Sequence, residues 1–284
     1  MNNIKIIADS TCDLTEAILK QYDISIIPLC VIMGDDTYLD GINITPEEIY
    51  TWSERENSTP KTAAPVLHDV ISFLEPYVKE QREIIFIGIS EDMSSTCNVI
   101  KLASDFLHYD RIHIINSKNL SSGIGHQVLK AATLANAGNS AEYIVDYIRN
   151  HMLEKVKASF VIDTLTYLHR GGRCSSVAAL FGNALKLKPM IVVTDGAMGV
   201  SKKYRGTNKK VLLNYAKDLQ PDLINADPER VFITHSGCDE DVVNELYHFL
   251  ESLHTFKEII VTNAGSVITC HCGPKTLGIL YVEK

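Results

Sequence analysis

The chain of 284 residues contains no apolar run of the roughly 20 residues that a membrane-spanning helix requires. Its beginning, MNNIKIIADS, has no basic stretch followed by an apolar one, so a secretory leader is not expected. Dense basic tracts are missing too. The longest clusters are the pairs Lys202-Lys203 and Lys209-Lys210, and the net charge is −8. Phosphate backbones are held by a concentrated Lys/Arg field, so the charge argues against nucleic acid as the main partner. The acidic balance instead favours solubility. Seven cysteines stand at positions 12, 30, 97, 174, 238, 270 and 272, with no C-x-x-C among them. An odd count without that spacing indicates neither a disulfide framework nor a zinc ribbon, and it fits a reducing, cytoplasmic setting. There is no G-x-S-x-G elbow and no P-loop. The segment Asn116–Gly125 lacks the third glycine of a dinucleotide loop. Close helix packing is the better account of Gly123 and Gly125.

What remains is an ordinary globular composition, 45% hydrophobic and 22% charged. At this length two domains are expected. In the first half, short β-branched runs (Ile4–Ala8, Ile24–Ile32, Ile84–Ile89, Ile112–Ile115) alternate with amphipathic segments. That alternation predicts a mainly parallel sheet covered on both faces, an α/β/α sandwich. Asp13 with Glu16, and Thr45-Pro46-Glu47-Glu48, read as helix starts of the capping-box kind. The second half reads as α+β with a mixed sheet. Its predicted strands include Met190–Thr194 and Val200–Tyr204, joined through a hairpin turn at Asp195-Gly196-Ala197-Met198-Gly199. The domain division is expected at 1–155 and 156–284.

Four segments could carry chemistry. Gly88–Thr96 follows a strand and opens a helix, which suits an anion at free backbone N–H groups; the plainer reading makes Ser94 a helix cap. Lys61-Thr62 precedes another predicted helix, and Thr62 alone is uninformative. Leu168–Arg173 is a basic turn bearing paired glycines, where Arg173 suits a phosphate or a partner's carboxylate. Cys270-His271-Cys272 permits three readings: metal ligands, a Cys–His nucleophile pair, or His271 facing a cleft. Local sequence does not decide among them.

Taken in order, Ile7–Thr11, Lys61-Thr62, Met93–Thr96, Phe160–Arg173, Leu187–Met190, Asp195-Gly196, Tyr204–Thr207 and His271–Pro274 resemble the DegV family of fatty-acid-binding proteins over nearly the whole chain. The resemblance implies two α/β domains with a long acyl chain, palmitate- or oleate-like, in the cleft between them. It implies that Thr62, Ser94 and His271 hold the carboxylate, with Ser95 and Thr96 as further polar contacts. It also implies a carrier without catalysis, cofactor or metal, which presents the acid to a fatty-acid kinase and touches the membrane transiently. Arg173 and Arg205 are then candidates for phosphate or partner contacts. Three departures stand out: Ala63-Ala64 for Ser-Gln, Ser95 for a glycine, and Cys272 and Lys275 for Thr and Gly around Gly273-Pro274. Ser95 must avoid positive φ or accept strain. The competing expectation is an acyl transferase or hydrolase using Ser94 or Cys270 with His271.

Overall fold

A computed structural model of the chain describes residues 3–178, 180 and 187–284. The first half carries strands β1 (Ile4–Asp9), β2 (Ile24–Ile27), β3 (Cys30–Met33), β4 (Asp36–Leu39), β5 (Lys61–Ala63), β6 (Glu83–Gly88) and β7 (Ile112–Asn116). Between them lie helices α1 (Glu16–Gln21), α2 (Pro46–Glu56), α3 (Leu67–Lys79), α4 (Thr96–Phe106), α5 (Ser122–Asn136) and α6 (Ala141–Tyr147). The second half runs β8 (Val156–Val161), α7 (Thr166–Gly171), α8 (Ser175–Ala178), β9 (Leu187–Thr194), β10 (Ala197–Arg205), α9 (Asn208–Ile224), β11 (Arg230–Ser236), α10 (Glu240–Ser252), β12 (Glu258–Asn263), α11 (Ser266–Cys272) and β13 (Thr276–Val282).

Among the described residues three sheets form. The first is all parallel, in the order β2-β1-β6-β7. Its strands are apolar nearly throughout because both faces are covered. Ile7 and Phe86 pack towards α3 and α4 with Leu74 and Ile100, while Ile6, Ala8 and Ile87 face α5 with Ile124 and Val128. The second sheet is mixed, in the order β10-β9-β8-β13-β11-β12, with β11 and β12 the parallel pair. One core runs without a break from Ile6 and Ile124 to Phe160, Phe232 and Leu280, so α5 is shared between the two large sheets. The chain is thus an α/β protein of the expected class, with a parallel sheet in its first half and a mixed sheet in its second.

Four details depart from the sequence reading. The predicted strand Ile24–Ile32 is split, because Pro28 interrupts the ladder and the chain turns from β2 into β3. Helix α1 is capped by Thr15, whose side chain accepts from Ile18 N, and not by Asp13; Asp13 sits in the left-handed region at φ 51° with its carboxylate turned elsewhere. Leu168–Arg173 is largely helix, α7, closed by Gly172 at φ 69°. Lys61–Ala63 forms β5 of a small antiparallel sheet ordered β4-β3-β5. Other local readings hold. Thr45 and Glu48 complete a reciprocal capping box. The hairpin between β9 and β10 is present but tighter than read: Asp195 and Gly196 alone form the turn, both at positive φ (48° and 88°) as a type I′ hairpin demands, and Ala197–Gly199 already belong to β10. A Cβ on Gly125 would lie 3.1 Å from Cys12 O, so the close packing of α5 requires glycine there.

Candidate functional site

The order of the parallel sheet places a switch point at β1. The chain moves from β1 to β2 on one side and later returns to β6 on the other. In open parallel sheets the crevice beyond the carboxyl ends of two such strands is a natural binding place. Asp9, at the end of β1, accepts from Ile89 N at 2.7 Å and so ties the two strand ends together. The turn after β6 is fixed by Met93 N and Ser94 N donating to Ser90 O, and by Ser90 Oγ donating to Gly196 O at 2.7 Å. This sets Ser94 at the head of α4. Ser94 is not a cap: its Oγ lies 2.8 Å from Thr96 Oγ1, and no side chain caps α4. The first N–H groups of α4 therefore lack a side-chain acceptor, a favourable setting for an anion. Ser95 takes φ −84°, so the replacement of glycine costs no strain.

Thr62 comes from β5, where it pairs with Val31. His271 comes from α11, 209 residues further along, and its Nε2 lies 2.8 Å from Thr62 Oγ1. Burial, helped by the nearby Arg173 guanidinium, pushes His271 down to about 4, so the ring is neutral at pH 7. Its Nδ1 is buried without a partner. A stranded N–H costs more than a stranded lone pair, which favours the tautomer with the proton on Nε2. Nε2–H then donates to Thr62 Oγ1, and the threonine hydroxyl proton is free to point into the site.

Thr62, Ser94 and His271 all line one cavity of about 280 Å³. Ser95 and Arg173 share that wall, while Leu29, Ile89, Met93, Leu120, Phe160, Met198, Ile268 and Leu280 supply apolar surface. Residues from both halves of the chain contribute. Arg173 is fixed by Nη1 donating to Gly171 O at 2.7 Å and Nε to Met93 O at 3.5 Å. Thr96 is fully buried behind Ser94 and is not among the lining residues. Arg205, exposed at the end of β10, is likewise outside the cavity. So is Cys270, which is 1% exposed and packs with Leu29, Ile49 and Val267, its thiol pushed up by burial. Cys272 does reach the cavity, and burial pushes its thiol up to about 12. The described residues offer no group of His, Cys, Asp and Glu able to hold a metal ion, and no helix long and apolar enough to cross a membrane.

Two residues that hold the start of α11 escaped the sequence reading. Asp13 Oδ1 accepts from Gly265 N at 2.8 Å, and Asp40 Oδ1 from Ser266 N at 2.7 Å, at the start of α11. Asp13 reads locally as a helix cap, and Asp40 gives no local signal.

The family model described as "Uncharacterised protein, DegV family" matches residues 3–284. A DegV domain-containing protein of Clostridium perfringens is 36% identical over 288 residues, covering 100% of both chains. Among solved structures, a fatty-acid-binding DegV family protein from Thermus thermophilus is similar, with a TM-score of 0.89, 28% identity and 99% of each chain covered. So is a stearic acid-binding protein from Eubacterium ventriosum, with a TM-score of 0.87, 26% identity, and 99% of this chain and 98% of that one covered. With a family match over almost its whole length and a relative of this identity, the chain belongs to the DegV family.

Proposed function

We propose that this protein binds one long-chain fatty acid, with the carboxylate at Thr62, Ser94 and His271 and the acyl chain in the adjoining cavity. The observation that carries this reading is that those three side chains line one cavity beside apolar residues, with Thr62 and His271 in hydrogen-bond contact. A carboxylate cannot be buried unless its oxygens are hydrogen-bonded. The Thr62 and Ser94 hydroxyls and the uncapped head of α4 offer donors, and Arg173 offers charge. Affinity comes mainly from the chain: at about 0.8 kcal/mol per methylene, ten buried methylenes contribute roughly 8 kcal/mol against the cost of association. The polar groups fix orientation more than they add strength. The relatives from T. thermophilus and E. ventriosum, which bind fatty acids, support the same reading.

In this reading the chain divides into domains 1–155 and 156–284, the ligand lies in the cleft between them, and the protein acts in the cytoplasm. The loaded acid is presented to a fatty-acid kinase, with transient membrane contact during loading, and no bond is made or broken here. Arg173 at the cavity wall and Arg205 at the exposed end of β10 are contacts for the acyl phosphate or the kinase. An acyl-transfer role is disfavoured by the neighbours of its nucleophiles. Ser94 is bonded to a hydroxyl and not to a base, and Cys270 does not reach the cavity.

Denaturing extraction of the purified protein followed by mass spectrometry is expected to release a stoichiometric fatty acid. A cavity that is empty and also refuses oleate and palmitate would refute the proposal. Labelling of Ser94 by an activated acyl ester, with turnover, would replace the carrier role by an enzymatic one. Phosphorylation of the bound acid by a fatty-acid kinase and ATP tests the presentation step.

A further inference from the structure

We infer that Asp13 and Asp40 are positioning residues of the acyl site, clamping the start of α11 and making fatty-acid affinity fall as pH rises. This rests on the fatty-acid reading above and adds a regulation to the same site.

Helix α11 spans only seven residues, yet it brings Val267, Ile268, His271 and Cys272 to the cavity. Its cap residue, Gly265, has no side chain to hold the first turn. Two carboxylates from the other end of the sequence replace it: Asp13 on Gly265 N and Asp40 on Ser266 N. A Cβ at Gly265 would stand 3.2–3.3 Å from oxygens of both, so the two carboxylates meet at one α-carbon. Asp13 is 6% exposed and Asp40 2%. Asp13 Oδ2 also takes the Ser121 hydroxyl at 2.5 Å. Side-chain oxygens that accept from these amides replace the missing cap and fix the helix that ends in His271.

The charges facing the pair are of one sign. Asp9 at the end of β1 and Asp40 act on Asp13, and the thiols of Cys12, Cys270 and Cys272 surround them. Hydroxyls of Ser10 and Ser121 and the α11 amides only partly offset burial. Burial pushes Asp13 up to about 8, Asp9 to about 6, and Asp40 in the same direction. Neighbouring groups do not titrate with them: His271 sits at about 4 and Cys272 at about 12. Between pH 6.5 and 9, Asp13 therefore gains its charge while the bound carboxylate is already an anion. Asp13 is near enough to act on Cys272, beside His271. A further negative charge in this buried cluster disfavours a bound anion, and about 1.4 kcal/mol of repulsion lowers affinity tenfold. Ionisation of a buried carboxylate also favours states in which it reaches water, which loosens the clamp.

The test is oleate binding by calorimetry at pH 6.5, 7.5, 8.5 and 9, with the full chain and with Asp13→Asn and Asp40→Asn. Asparagine keeps an acceptor for the amide and removes the ionisation. The Kd of the unaltered protein is expected to rise on the order of tenfold across this range, and that of Asp13→Asn to stay flat. Hydrogen exchange at Gly265 and Ser266 in ligand-free protein, corrected for the intrinsic rate, is expected to accelerate through the same range. This second measurement needs neither a folded variant nor a bound lipid. Oleate affinity that is tight but independent of pH, a slope that survives in the Asp13→Asn/Asp40→Asn double variant, or unchanged exchange at the two amides would overturn the inference. Oleate refused at every pH, with exchange still accelerating, would refute the fatty-acid reading and with it the pH effect on binding, leaving the clamp standing.

Discussion

Thr62 Oγ1 and His271 Nε2 lie 2.8 Å apart, joined across 209 residues by a three-residue strand and a seven-residue helix. Replacing Thr62 with valine keeps the shape and removes the hydroxyl. A hydrogen bond to a charged acceptor is worth about 1.5–3 kcal/mol, so oleate affinity is expected to drop by roughly ten- to a hundredfold. Calorimetry on Thr62→Val checks this, and an unchanged Kd would remove Thr62 from the carboxylate site.

Gly171, the last residue of α7, is pressed against the His271 ring, and a Cβ there would stand well inside van der Waals contact of Nδ1. Alanine is a better helix former than glycine, so α7 is expected to survive. The imidazole must move, breaking its contact with Thr62. Gly171→Ala should therefore retain the circular dichroism of the parent and lose about tenfold in affinity, by ~1.4 kcal/mol. Full affinity would mean that the ring position is unimportant.

Stability should fall between pH 6.5 and 8.5. Asp13 is raised to about 8 from an ordinary 3.8. A raised carboxyl contributes stability that is complete below its unfolded pKa and lost as pH climbs through the folded one. His126 and His271, both lowered to about 4, act only on the acid side, where stability is lost as pH falls below about 6.5. Over the alkaline window Asp13 alone accounts for about 2 kcal/mol, or about 2–4 °C in Tm for each kcal/mol. Thermal melts of the parent and Asp13→Asn test the sign, since the variant should lose most of the slope.

Lys275 occupies the left-handed region at φ 58°, just after Gly273-Pro274. The lysine is exposed, and a side chain in that conformation carries a penalty that glycine avoids. Lys275→Gly should raise stability by about 0.5–1 kcal/mol after its larger unfolded-state entropy is counted. Denaturant midpoints would show it; a destabilised variant would mean that the lysine side chain makes a compensating contact.

Local patterns carried the elements well. Thr45-Pro46-Glu47-Glu48 wrote its own capping box, and Asp195-Gly196 its own hairpin turn, because each depends on neighbours in sequence. Lys61–Ala63 did not read as a strand. It has no β-branched run, and its pairing with β3 arises only in the folded chain. The motif residues Thr62, Ser94 and His271 and their common site were visible only by resemblance, because no local pattern links positions so far apart in sequence. Asp13 shows the same limit, since an aspartate before a helix looks like a cap and only the fold reveals that its acceptor serves α11.

Strand β13 follows every other strand of the mixed sheet in sequence, yet it lies between β8 and β11 at the middle. During synthesis β8 through β12 leave the ribosome before the strand that joins them, so the nascent chain carries two half-sheets with open edges. Phe160 and Leu280, which line the cavity from β8 and β13, come together only when that last insertion occurs. The cavity therefore closes only once β13 has been made, and a nascent fragment ending before Thr276 lacks the wall that Leu280 supplies.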